Sequence, residues 1–253
     1  MPVSKGQQNR RLLVALVLDK STSMNTIAKE TIENTNKQFE ELRKSDDAVN
    51  TYVAFFTFDT LANSVFKDEN GNPKLVPCSE LKDISELDYH PHGYTAMYDG
   101  VGDAITYLAM EAKSWDDVLV VIISDGDENM SKRFTSERIA SMVKEMTDSG
   151  WTFTYIGANQ DLTKVKETLG FNAGNILSYS ATSKGVADMS STHTSAIRSY
   201  TSTRSSLRAS GVSGRISATN MYSAPSDDQD NIKLVLSAEE QAALLIKGTD
   251  SQD

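Results

Sequence analysis

Two stretches of the chain are apolar without interruption, Leu12 to Leu18 and Val118 to Ile123. Runs of that length without alternation describe strands buried on both faces of a sheet. Each stops at an acidic residue: Asp19 follows the first, and Asp125, one serine on, follows the second. Helical periodicity fills the spaces between strands. From about Thr26 to Lys44, Ile27, Thr31, Thr35, Phe39 and Leu42 recur at helical spacing, and Ser45-Asp46-Asp47 ends the run. Thr51 to Phe58 is rich in aromatic and β-branched residues and reads as a strand. Leu61 to Phe66, across the short Asp59-Thr60 connection, reads as its antiparallel partner at a sheet edge. Leu75 to Leu87 shows no period and reads as surface turns.

Further along, Met97, Val101, Ile105 and Leu108 share one helix face. Thr135 or Ser136 caps a helix carrying Ile139, Met142, Val143 and Met146, which Gly150 closes. Trp151 to Ile156 and Ile176 to Tyr179 are strands, with a short helix from Asp161 to Leu169 between them and a helix from about Ser183 to Tyr200 after them. Strands alternating with helices predict an α/β fold: a doubly wound, mostly parallel central sheet flanked by helices, with one antiparallel edge strand.

After Tyr200 the composition changes. Residues 201–224 are dominated by Ser, Thr and Gly with Arg204, Arg208 and Arg215 among them, the composition of a flexible linker. Asp227, Asp228 and Asp230 begin an acidic end. There Ile232, Leu234 and Leu236 alternate like a strand, and Ser237 and Glu240 have capping-box spacing for a small helix through Ile246. The expected organisation is a polar arm at 1–9, one domain at 10–200, a linker at 201–231 and an acidic tail with a short helix at 232–253.

Charge and cysteine content narrow the function classes. The 253 residues carry a net charge of −10, which disfavours nucleic acid and anionic membrane as partners. Cys78 is the single cysteine, so an internal disulfide and a cysteine-based metal cluster are both excluded. Lys5, Arg10 and Arg11 ahead of Leu12 to Leu18 imitate a signal peptide, but the run ends in Asp19 without a small-residue cleavage site. A cytoplasmic protein is expected.

The ends of the two apolar runs carry the chemistry. Ser21 and Ser23 follow Asp19 at alternate positions, and ligands of open α/β sheets bind at the carboxyl ends of strands. The same residues also suit a hydroxyl-rich loop capping the helix that follows, so the choice depends on other loops. Thr95 lies between a glycine-containing loop and a helix start, and Asp125 precedes Gly126, which permits a tight turn. If the two apolar strands are neighbours, Asp19, Ser21, Ser23, Thr95 and Asp125 converge on one edge. All are oxygen donors and suit a hard cation, Mg²⁺ first, with Mn²⁺ or Ca²⁺ as alternatives. Only two are charged, so a cation held there stays electron-poor and favours an incoming carboxylate.

The segments Asp19-Lys-Ser-Thr-Ser23, Gly93-Tyr-Thr-Ala-Met-Tyr-Asp99 and Ser124-Asp-Gly126 resemble the von Willebrand factor type A (VWA) domain and its metal-ion-dependent adhesion site. The resemblance spans about residues 10–200 and implies a Rossmann-like sheet. It assigns metal contacts, direct or through water, to Ser21, Ser23 and Thr95, and water- or hydrogen-bond-mediated roles to Asp19 and Asp125. A partner's Asp or Glu completes the coordination. Trp151 to Asp161, Ala173-Gly-Asn175 and Tyr179-Ser-Ala-Thr182 resemble a stand-alone bacterial and bacteriophage branch, in which Gly stands where this chain has Thr22. Family members in bacteria act beside AAA-type ATPases, an association implied by analogy alone.

Around this core, His90 and His92 are candidates for ligand contact or pH sensitivity, Asp127 and Glu128 for a negative rim, Asp99 for orienting Thr95, and Asn159 and Gln160 for ligand contact. The implied function is a divalent-metal-dependent protein-binding module without catalytic residues. Two alternatives remain. In one, the chain self-assembles, its own Asp227, Asp228 or Asp230 entering a neighbour's metal site. In the other it is a Mg²⁺-dependent hydrolase with Asp19 as nucleophile and Asp125 and Asp127 on the metal; Ser21 then stands where such enzymes need an acidic proton donor.

Overall fold

The computed structural model describes residues 10–158, 162–222, 231–236 and 240–241. Strand β1 (Leu12–Asp19) leads through a short 3₁₀ turn (Thr22–Ile27) into helix α1 (Ala28–Lys44). Then come β2 (Thr51–Phe58), the short β3 (Ala62–Ser64) and β4 (Val76–Pro77), and α2 (Met97–Glu111). The units β5 (Asp117–Ser124), α3 (Ser136–Asp148), β6 (Thr152–Ala158) and α4 (Leu162–Leu169) follow. The described chain closes with β7 (Ile176–Tyr179), α5 (Ser183–Ala209), β8 (Arg215–Ala218) and β9 (Ile232–Val235).

The main sheet runs β3-β2-β1-β5-β6-β7. From β2 to β7 all pairings are parallel, and the antiparallel edge is formed by β3 with β4 beside it, both on β2. The predicted α/β class holds, with β4 adding a second short piece to that edge. β1 is central and buried at all eight positions. Leu12, Val14, Leu16 and Leu18 face the side covered by α1 and α5, among Phe39, Leu42, Ile197 and Tyr200. Leu13, Ala15 and Val17 face the other side, among Val101, Ile105, Leu108 and Val143 of α2 and α3. Two-sided burial is the reason the run lacks polar alternation. No helix among the described residues is long and apolar enough to cross a membrane.

Strand order reverses at β1. The chain leaves it through α1 on one face toward β2, and β5 returns on its other side through α2 on the opposite face. Such a switch point opens a crevice at the strands' carboxyl ends, where Asp19 and Asp125 emerge.

The stretch expected to be linker is partly ordered structure. α5 continues through Ala209 and Arg215–Ala218 forms β8, with Thr201, Arg204, Ile216 and Ser217 buried. Its Ser/Thr content misled because Thr201 turns its hydroxyl inward, donating to the Ile197 carbonyl at 3.0 Å. Its arginines find acids at the amino end of β5. Arg204 Nε and an Arg208 Nη meet Asp117 at 2.6 Å each, and Arg204 also pairs with Asp47. Arg215 grips the carbonyls of Asp116 and Lys113 at 2.9 and 2.7 Å. β9 forms as expected, paired to β8. The arm at 1–9, Asp227 to Asp230 and most of the predicted tail helix lie outside the described residues.

Candidate metal centre

Asp19 is the last residue of β1 and is fully buried. Its Oδ1 accepts the Ser21 backbone N–H at 2.7 Å, and its Oδ2 accepts the Ser124 hydroxyl at 2.6 Å. Tyr89 donates its hydroxyl to the Asp19 carbonyl at 2.6 Å, so both ends of the residue are held. The turn after β1 brings the Ser21 and Ser23 hydroxyls to 3.0 Å from each other, and Ser23 donates to Asp125 Oδ1 at 2.7 Å. Four of the five predicted donors thus form one connected set.

Thr95 joins from a third loop, immediately before α2. A Cβ built on Gly126 would lie 3.2 Å from Thr95 Oγ1, 3.6 Å from Ser23 Oγ and 3.8 Å from Asp19 Oδ2. Three donors from two segments, the end of β1 with its turn and the loop before α2, therefore surround one small space beside a third loop, and the absence of a side chain at Gly126 keeps it open. Neighbouring oxygens in an octahedron of Mg²⁺ at its usual bond length stand roughly 2.9 Å apart, close to the spacings of the serine and Asp125 oxygens. Among the described residues no cluster of three or more His, Cys, Asp or Glu side chains is placed to hold a metal. A cation centre in this region has to be built on hydroxyls, and this set fits a hard cation on donor type.

The electrostatics point the same way. Burial pushes the Asp19 carboxyl up to about 6, against the hydrogen bonds from Ser124 and Ser21, and the nearby Asp125 adds to the rise. Burial also raises Asp125. Among the described residues no Lys or Arg pairs with either. Lys20 and His92 instead meet Asp59 Oδ2, each at 3.3 Å. A buried and a half-buried carboxylate with no cationic side chain on either form a place where a cation is stabilised.

Several neighbouring residues have other duties than expected. Asp99 does not orient Thr95: its carboxylate accepts the backbone N–H groups of Lys132, Arg133 and Phe134 at 3.1, 2.9 and 3.0 Å. Glu128 is no free rim charge. Its carboxylate accepts from the backbone of Tyr98, Met130 and Ser131 and from the Ser131 hydroxyl. Asp127 is exposed, as are His90 and His92. Thr22 uses its hydroxyl to reach the Gly93 carbonyl at 2.9 Å, tying the serine turn to the threonine loop. Cys78 is buried and burial raises its thiol to about 11, so it is no nucleophile. Asn159 and Gln160 lie outside the described residues. Sequence reasoning missed Ser124, Tyr89 and Asn129; for Ser124 the signal was its place one residue beyond the Leu18–Ile123 pair, directly beside Asp19.

The family profile described as the von Willebrand factor type A domain matches residues 14–195. No curated protein sequence matches. Among solved structures, the chain is similar to the pilus adhesin SpaC from Lactobacillus rhamnosus GG in its open conformation, at 12% identity and TM-score 0.58, over 76% of this chain and 30% of that one. It is similar to the D319A mutant of the PilB minor pilin from Streptococcus sanguinis, at 12% identity and TM-score 0.55, over 81% and 64%. The vWF domain of the type V pili tip protein Mfa5 from Porphyromonas gingivalis aligns at 12% identity and TM-score 0.54, over 75% and 97%. This chain thus spans less than a third of the SpaC chain and nearly all of the Mfa5 domain. At such identities the likeness is one of fold.

Proposed function

The chain belongs to the von Willebrand factor type A domain family, and on that premise we propose that it is a divalent-metal-dependent protein-binding module. The observation that carries the reading is the pair of carboxylates, fully buried Asp19 and half-buried Asp125, set among three hydroxyls with no Lys or Arg partner among the described residues. Ser21, Ser23 and Thr95 would hold Mg²⁺, with Asp19 and Asp125 behind them. The bound cation supplies an electron-poor position for the carboxylate of an Asp or Glu on a partner protein. The protein's own part is to fix the hydroxyls: Asp19 through the Ser21 N–H, Asp125 through the Ser23 hydroxyl.

The hydrolase reading is the weaker one. Both Asp19 oxygens are engaged by hydrogen bonds and the residue is fully buried, a poor disposition for a nucleophile. A cytoplasmic setting in a bacterial or bacteriophage complex, beside an AAA-type ATPase, is part of the proposal and rests on the sequence resemblance.

Affinity capture from native lysate tests it with three baits: wild type in Mg²⁺, wild type in EDTA, and Asp19→Ala in Mg²⁺. A protein retained by the first bait alone is the expected result. One retained equally by all three moves recognition away from this edge and overturns the proposal. Capture of the chain's own copies by the first bait, lost on deleting residues 223–253, replaces the partner with self-assembly.

A further inference from the structure

We propose that Asn129 is the positioning residue for the Thr95 hydroxyl, and that its neutrality keeps the site selective for an anionic partner group. The inference rests on the metal-binding reading above. Thr95 is the one of the five for which no hydrogen bond to the other four is seen, so its placement depends on its backbone. That backbone is held by Asn129 twice: Thr95 N–H donates to Asn129 Oδ1 at 3.0 Å, and Asn129 N–H donates to the Thr95 carbonyl at 3.0 Å. The reciprocal pair joins the loop carrying Thr95 to the loop carrying Asp125. Ala96 N–H adds a bond to the Asp59 carbonyl at 2.7 Å, which fixes the other side of the same turn.

The loop that holds Asn129 is itself locked onto the start of α2. Tyr98 N–H donates to Glu128 at 2.9 Å, Asp99 N–H to the Ser131 hydroxyl at 3.1 Å, and Asp99 in return accepts three amides of residues 132–134. These acids satisfy the orphan amides of a helix start and of a tight loop. Their negative charge is spent on backbone groups. Asn129 bonds Thr95 itself and does the same job with an amide oxygen, adding no third carboxylate there. Outer partners of this kind orient ligands and set metal affinity. A neutral one leaves the cation's charge incompletely matched, which favours a carboxylate from outside.

Four variants test this: Asn129→Ala, Asn129→Asp, Thr95→Ala and the Thr95→Ala/Asn129→Ala double. Mg²⁺ affinity is read by calorimetry, acetate binding in saturating Mg²⁺ by NMR, and the Thr95 amide by hydrogen exchange. Asn129→Ala should weaken Mg²⁺ by about tenfold and speed exchange at Thr95. Asn129→Asp retains the acceptor, so it should restore Mg²⁺ affinity and the protected amide. It should also weaken acetate by about threefold, the size that Coulomb's law gives for unit charges about 6 Å apart in water. On the Thr95→Ala background, Asn129→Ala should add no further loss of Mg²⁺ affinity. A full additional loss there, or unchanged acetate binding in Asn129→Asp, overturns the inference. If wild type binds no Mg²⁺, the metal reading fails by itself. The brace then stands or falls on Thr95 exchange in Asn129→Ala, and unchanged protection overturns it.

Discussion

The two ends of the central sheet hold buried acids under opposite conditions. At the amino end of β5, Asp117 is fully buried against Arg204, with Arg208 on its other oxygen and the Ile216 N–H at 2.7 Å. Asp116 beside it is met by Arg11 at 2.6 Å. At the carboxyl end, Asp19 is equally buried but receives a backbone N–H and a hydroxyl in place of arginines, and half-buried Asp125 receives the Ser23 hydroxyl. A folded chain tolerates a buried carboxylate when it is paired or when something else is to be bound there. Compensated acids therefore mark the floor that holds the fold together, and uncompensated acids mark the edge that faces a ligand. Being acidic and buried does not distinguish the two; the partner does.

The largest expected effect comes from breaking the floor. Arg204→Met removes the cation that Asp117 and Asp47 share, leaving Asp47 without it and the buried Asp117 with Arg208 alone. Loss of one partner of such a pair costs about 3–5 kcal/mol, readable as a lower urea midpoint with an unchanged slope. Mg²⁺ affinity, set at the far end of the sheet, should not move. A loss below about 1 kcal/mol, the scale of an exposed ion pair, would erase the contrast between the two ends.

The next effect has the opposite sign. In EDTA at pH 7.5, Asp19→Asn should be more stable than wild type, because it removes a charge the fold holds at a disadvantage. The carboxyl is raised from 3.8 to about 6, so its protonated form is the one the fold favours. Its contribution is intact below about pH 4 and is lost as pH rises through about 6. That difference corresponds to about 3 kcal/mol at most. The stability gap between variant and wild type should accordingly be small near pH 4 and reach its full size by pH 7.5. Saturating Mg²⁺ should reverse the order, adding about 4.1 kcal/mol to wild type at a thousand times the Kd and nothing to the variant. A variant less stable than wild type in EDTA throughout this range would mean that Asp19 is already compensated.

Much of the upper edge was legible in the chain, and little of the floor. The two uninterrupted apolar runs locate β1 and β5, and the residues ending them locate Asp19 and Asp125, because two-sided burial and abrupt exit both leave marks on consecutive positions. Ser21 and Ser23 are local to that exit. The floor is non-local: Asp117 meets Arg204 and Arg208 some ninety residues later, and nothing in the Ser/Thr-rich composition of 201–209 signals a helix. Asp99 and Glu128 misled for another reason. Their chemistry is that of metal ligands, but their oxygens go to backbone amides whose exposure depends on how two loops meet. Ser124 and Asn129 are neutral and small, and their importance comes only from what they touch.

The smallest effect tests whether the upper edge is organised by such neutral contacts. Ser124 is fully buried, donating to Asp19 Oδ2 at 2.6 Å while Gly126 N–H approaches its oxygen at 3.3 Å. Ser124→Ala deletes one hydrogen bond to a buried carboxylate. In EDTA at pH 7.5 this should cost about 1–2 kcal/mol, and it should raise the Asp19 carboxyl further, since that bond holds it down. With the carboxylate no longer fixed, Mg²⁺ should bind about tenfold more weakly. The loss in stability should shrink on going to pH 4, where a protonated Asp19 can donate elsewhere and needs Ser124 less. On the floor burial likewise raises the Asp117 carboxyl, against Arg208 and the Ile216 N–H, so the Arg204→Met loss is read at pH 7.5, where it reports the missing arginine. A Ser124→Ala loss equal at pH 4 and pH 7.5 would show that Ser124 serves packing alone, and the distinction between a held ligand and a held fold would then rest on Asp19.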